Sequence, residues 1–267
     1  MKDQEGLRSG RLPVVLVPGG IMPASLSYGS LLAVLGDEVQ AVAKELEVYA
    51  GATPPPDYGL GLEVDGITRA ADAAGFRDFH LVGYSAGGAS SLAFTAEHPE
   101  RVRSLALIEP AWIGNEGLPA EMEADLAELN RVVALPPEER MPAFLFWQMR
   151  AGVAPPAQLL HPASLPPWMA TRPAGLAAVA GAFNSYPLDR EKLRGFRNPV
   201  YYALGSLSTP YYERAARTLA EVLPDLETET YEGRSHLDPP HRAEPERFAR
   251  ALRNLWRRAE PVAFLAA

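Results

Sequence analysis

Apolar residues along the chain keep two rhythms. Short runs rich in Val, Leu, Ile, Tyr and Phe alternate with longer stretches in which apolar positions recur every three or four residues. The short runs predict strands at 12–18 (LPVVLVP), 38–44 (EVQAVAK), 79–84 (FHLVGY), 102–109 (VRSLALIE), 199–205 (PVYYALG) and 227–233 (ETETYEG). The longer stretches predict helices over 26–35, 63–74, 86–97, 211–222 and 245–257. Several strands are apolar on both faces, which is the mark of a sheet covered by helices on either side. Alternation of this kind predicts an α/β fold with a mostly parallel central sheet.

The alternation stops between residues 110 and 198. Residues 111–198 contain 11 of the 26 prolines and the large apolar residues Trp112, Phe144, Phe146, Trp147, Met149, Trp168 and Phe183. A crossover between parallel strands does not need so long a connection. Two readings stay open: proline-bounded helices packed on the sheet with their aromatics as ordinary core, or a helical cap whose aromatics line an apolar pocket. The second divides the chain into a core of 1–110 and 199–267 and an inserted cap of 111–198, with Trp112, Phe144 and Trp147 as pocket residues.

At the end of the third predicted strand stands LVGYSAGG, residues 81–88. Gly-x-Ser-x-Gly between a strand and a helix is the setting of a nucleophile elbow. Gly83 and Gly87 allow the two backbones to meet closely, and Ser85 projects from the strand end, with Tyr84 beside it as a substrate contact. A serine hydroxyl needs a base, and the base an orienting group. His80 falls inside a strand and His98 at a helix end, so both read as structural. His161 lies in the insert with no fixed relation to Ser85. His236, in EGRSHLDPP after the last strand, opens onto the carboxyl edge of the sheet, where catalytic groups gather; His241 is its local rival. An oxyanion needs two backbone donors. Ala86 would supply one, and Gly20 or, second, Ile21 in LVPGGIMPAS the other; Ile21 also counts as a substrate contact.

Composition narrows the chemistry further. The chain carries no cysteine, which removes disulfides, thiolate nucleophiles and cysteine-ligated metals. A net charge of −8 without basic runs points away from nucleic acid. No segment reaches the roughly 18 consecutive apolar residues of a membrane span. A soluble cytoplasmic protein is expected, with no metal or organic cofactor. The apolar tail PVAFLAA, 261–267, is expected to pack on the domain surface or at a subunit contact in a homo-oligomer.

Taken together, LVPGG, HLVGYSAGG, HPERVRSLALIEP, the insert, NPVYYALGS and EGRSHLDPP resemble the α/β-hydrolase superfamily over nearly the whole chain. The resemblance implies an eight-stranded sheet as the family standard and a nucleophile–acid–histidine triad. Three departures stand out. Only 11 residues precede the first strand, Pro18 stands where the family commonly has histidine, and ALGSLSTPYYER offers no carboxylate until Glu213 where the acid usually sits. Glu109, ending the strand beside the nucleophile strand, is the first choice for the acid, and some family branches place it there; Asp189, Asp238 and Glu213 are the alternatives. The implied activity is a serine hydrolase, first a carboxylic-ester hydrolase for small to medium apolar substrates. Carbon–carbon hydrolysis, lactonase, amidase or peptidase chemistry, cofactor-free perhydrolysis and a weakly catalytic ligand-binding scaffold are the alternatives.

Overall fold

The computed structural model describes residues 10–160 and 166–260. The tail 261–267 and His161 lie outside them. Six parallel strands form one sheet: β1 (Leu12–Val17), β2 (Val39–Ala43), β3 (Phe79–Tyr84), β4 (Val102–Ile108), β5 (Val200–Gly205) and β6 (Leu226–Tyr231), in the order β2-β1-β3-β4-β5-β6. Every predicted strand is present within a residue or two. The described sheet has six strands rather than the eight that the resemblance implies.

Alternation along each strand sends side chains to two apolar layers. Val14, Leu16, Val82, Ala106 and Ile108 face helices α1 (Ala24–Leu35) and α11 (Pro245–Ala259). Val15, Val17, Leu81, Leu105 and Leu107 face α2 (Leu60–Ala73) and α3 (Ala86–Glu97). Between β4 and β5 the chain forms α4 (Ala120–Val133), α5 (Pro137–Trp147), α6 (Ala157–Leu160), α7 (Arg172–Ser185) and α8 (Arg190–Leu193). Helix α9 (Pro210–Ala220) links β5 to β6, and the short α10 (Pro240–Ala243) precedes α11. Among the described residues no helix is long and apolar enough to cross a membrane.

His80 and His98 both have structural partners. His80, fully buried, meets Ser104 Oγ at 2.8 Å and Glu260 at 3.3 Å, and burial lowers its pKa. His98 packs against Phe94 at the end of α3. Neither approaches the carboxyl edge of the sheet.

The connection from β3 to α3 leaves no room for side chains at two positions. A Cβ on Gly87 would overlap the carbonyl oxygens of Val17 and Pro18, and one on Gly83 would overlap Ser91 and the Gly87 carbonyl. The obstacles at Gly87 are backbone atoms, which cannot swing aside. Gly87→Ala is therefore expected to cost about 2–3 kcal/mol of stability, read from the urea unfolding midpoint, as overpacking in a close-packed core does.

Candidate active site

Parallel pairing brings the ends of the strands level. Val17 pairs with Gly83, Tyr84 with Ile108, Ile108 with Ala203, and Gly205 with Tyr231. The loops after β1, β3, β4, β5 and β6 consequently share one edge. Chain order reverses around β1, which leaves a crevice above β1 and β3 of the kind in which open α/β sheets hold ligands.

Ser85 occupies the first turn above β3 with φ 53° and ψ −117°, a left-handed backbone that L-residues rarely adopt. The strain is held by its surroundings: the Ser85 N–H donates to the Ile108 carbonyl at 3.0 Å, and the Ser85 carbonyl accepts from the N–H groups of Ala89 and Ala111 at 3.0 Å. Glu109, directly after β4, is the other non-glycine residue with positive φ among those described, at 44°. Both side chains are buried, with exposures of 7% for Ser85 and 1% for Glu109.

His236 joins them from the loop after β6. Its Nε2 lies 2.9 Å from Ser85 Oγ, and its Nδ1 lies 2.9 Å from Glu109 Oε2. The second carboxylate oxygen of Glu109 accepts the Gly205 N–H at 2.7 Å, so both oxygens have a partner and the carboxyl cannot rotate freely. Tyr84 donates its hydroxyl to the His236 carbonyl, and Arg234 binds Asp238 at 2.7 Å and Glu244 at 2.9 Å, which shapes the rest of the loop. The alternatives from the sequence lie elsewhere. His241 faces Ser27 Oγ at 3.2 Å, and burial holds its pKa well below the ordinary value. Asp189 caps α8, and Glu213 pairs with Arg217 at 2.9 Å. Asp238 borders the cavity but is taken by Arg234.

The loop after β1 closes the other side. Among the described residues, the N–H groups of Gly20, Ile21 and Ala86 meet no acceptor. For Ala86 this follows from its place at the start of α3, where the first N–H groups have no intrahelical partner. Tyr49 donates its hydroxyl to the Gly20 carbonyl, and the Arg172 guanidinium lies 3.6 Å from the centre of the Tyr49 ring. These two residues hold the loop although Pro18 offers no side-chain hydrogen bond.

A cavity of about 940 Å³ opens above Ser85 and His236. Ile21, Tyr84, Phe144 and Trp147 line it, together with Trp168 and Phe183. Trp112 does not line it. This corrects the expectation: Trp112 is 1% exposed, stacks on Phe183 with ring centres 5.5 Å apart, and donates its indole N–H to Asn115 at 2.7 Å. Only four residues beyond β4, it is covered by α7, and its one polar atom is satisfied there. Phe146 is half exposed, and Met149 is buried off the lining.

Two residues at the site had no signal of their own in the sequence. Tyr212, fully buried, stacks on the His236 ring with centres 4.5 Å apart and planes within 5°. Its hydroxyl bonds to Gln148, which arrives from the end of α5. Tyr212 adjoins Glu213 in ALGSLSTPYYER, the segment that lacks the acid usual in the family, and that gap is the one available hint. Among the described residues no cluster of three His, Cys, Asp or Glu could hold a metal ion.

A family model described as the alpha/beta hydrolase family matches residues 14–251. RutD of Caulobacter vibrioides, named as a candidate carbamate hydrolase, is 35% identical over 54 residues, and the match spans 20% of this chain and 20% of that protein. The thermophilic esterase of Thermogutta terrifontis superposes with a TM-score of 0.67 and 19% identity over 94% of this chain and 92% of its own. The naproxen esterase of Bacillus subtilis gives a TM-score of 0.60 and 19% identity over 92% of this chain and 84% of its own. With most of its length matched by the family model and the sheet topology in agreement, the chain belongs to the alpha/beta hydrolase family.

Proposed function

We propose that the protein is a serine hydrolase that works by acyl transfer on carboxylic esters with small to medium apolar groups. The observation that carries this reading is the chain of two 2.9 Å hydrogen bonds from Ser85 Oγ through His236 to Glu109. In the proposed cycle Ser85 Oγ attacks the ester carbonyl while its proton passes to His236 Nε2. The negative charge that forms on the carbonyl oxygen is met by the N–H of Ala86 and that of Gly20, with Ile21 the second choice. Collapse breaks the bond to the leaving alkoxide, which takes the proton from Nε2 and departs as the alcohol. Water then attacks the acyl-enzyme with His236 as base, releasing the acid and restoring Ser85.

Glu109 acts through His236. Its carboxylate keeps the proton on Nδ1, leaves Nε2 free to accept, and offsets the positive charge of the imidazolium. Residues 111–198 serve in this reading as a cap that excludes water and supplies the apolar wall of the cavity.

Labelling with a fluorophosphonate tests the reaction class. A covalent adduct on the peptide containing Ser85 is the expected result. An unlabelled wild-type protein would remove the acyl-transfer reading and leave the fold as a ligand-binding scaffold. The substrate class is read from p-nitrophenyl esters: kcat/KM is expected to rise by up to about fourfold per added CH2 while the chain stays inside the cavity, since each buried methylene contributes about 0.8 kcal/mol. A preference for acetate over butyrate and hexanoate, or faster turnover of matched anilides or lactones, would replace the ester assignment.

A further inference from the structure

We propose that Tyr212 is a positioning residue for His236, offering the imidazole a lone pair that becomes useful only after Nε2 has taken the serine proton; this rests on the proposed roles of Ser85 and His236. The Tyr212 hydroxyl lies 3.2 Å from His236 Nε2, the nitrogen that also meets Ser85 Oγ at 2.9 Å. A phenol has one hydrogen, and here it is donated to Gln148 Oε1. What faces Nε2 is therefore oxygen lone pairs alone.

This direction gives the contact a sign. With the imidazole neutral and its proton on Nδ1 toward Glu109, Nε2 carries a lone pair; it accepts from Ser85 and gains nothing from Tyr212. With the imidazole charged, the same lone pairs meet a positive ring: the two rings are stacked within 5°, so the Tyr212 oxygen lies over the imidazole face at Nε2, outside the in-plane direction of Nε2–H, and attracts the charge without any movement of the ring. The interaction is stronger once the proton has moved than before, and this difference is what lowers a barrier. Burial raises the Tyr212 pKa well above its ordinary value and keeps the hydroxyl protonated.

Gln148 sets the direction. It is 2% exposed, and its backbone carbonyl accepts the Thr209 N–H at 3.0 Å, so the end of α5 is tied to the start of α9. If the Gln148 oxygen were removed, the tyrosine hydrogen would turn toward the imidazole face at Nε2, and its positive end would compete with the proton that the base must take up. Removing the tyrosine hydroxyl as well would end that competition.

The test is a double-mutant cycle of Tyr212→Phe and Gln148→Leu, read by the rate of fluorophosphonate labelling and by kcat and KM for p-nitrophenyl butyrate. Tyr212→Phe is expected to lower kcat by about threefold to tenfold, the scale of one close electrostatic contact with a charged group, with KM within about twofold. Gln148→Leu is expected to be slower than Tyr212→Phe, and the double variant to recover to the Tyr212→Phe rate. A role confined to packing would give losses that add, and that outcome overturns the proposal. Wild-type rates in Tyr212→Phe, or a Gln148→Leu variant no slower than it, overturn it too. Gln148→Met, closer in shape to glutamine, repeats the cycle if leucine is not tolerated. A wild-type protein that the probe does not label would instead remove the acyl-transfer reading itself, and this inference with it.

Discussion

Replacement of Ser85 by alanine is expected to abolish fluorophosphonate labelling and to lower ester turnover by about 10⁴–10⁶, the range found when a serine nucleophile is deleted. His236 Nε2 points at Ser85 Oγ, Tyr212 gives its hydrogen to Gln148, and the strained turn holds no second hydroxyl toward the base. Residual turnover would come from the N–H groups of Gly20 or Ile21 and Ala86, which in the proposed mechanism would still stabilise the oxyanion of a water-driven reaction. The variant is expected to fold, because alanine removes one oxygen and keeps the Cβ in place. A Ser85→Ala protein that keeps more than about a hundredth of wild-type turnover would place the nucleophile elsewhere.

Glu109→Gln is expected to cost roughly 10⁴ in kcat while leaving Ser85 and His236 in place. The reason lies in the two oxygens of the carboxylate. One accepts the Gly205 N–H at 2.7 Å, and a glutamine can keep that bond with its carbonyl oxygen. Its amide group must then face His236 Nδ1, where the carboxylate oxygen stood at 2.9 Å. An amide donor there makes Nδ1 the acceptor and moves the imidazole proton to Nε2. That tautomer cannot receive the serine hydrogen. Thermal unfolding checks that the loss is chemical, with a Tm close to wild type expected. Turnover within a few-fold of wild type would remove Glu109 from the proposed mechanism.

The strands and the elbow could be read along the chain because their causes are local. Apolar residues on both faces of 79–84 and 102–109 mark strands covered on both sides, and glycines flanking Ser85 mark a place where backbones touch. The insert was legible only as an interruption. Some of its prolines mark helix starts, as at Pro119 before α4 and Pro173 in α7, while Pro142 lies inside α5, and nothing in the spacing of its aromatics separates a side chain facing a cavity from one facing another helix. Trp112 and Phe183 illustrate the difficulty: the two rings stack, yet one lines the cavity and the other lies behind it.

The sequence by itself determined the α/β class, the six strands, the turn at Ser85 and the absence of any thiol chemistry, since each depends on residues near one another or on composition. Tertiary structure decided which residues meet. Glu109 and His236 are 127 residues apart, and parallel register between β4 and β5 together with the loop after β6 brings them to 2.9 Å. Tyr212 and Gln148, 64 residues apart, join across the ends of α5 and α9. Neither contact has a period or a motif, because each forms where separate elements end at the same edge of the sheet, and only the packed fold sets those ends side by side.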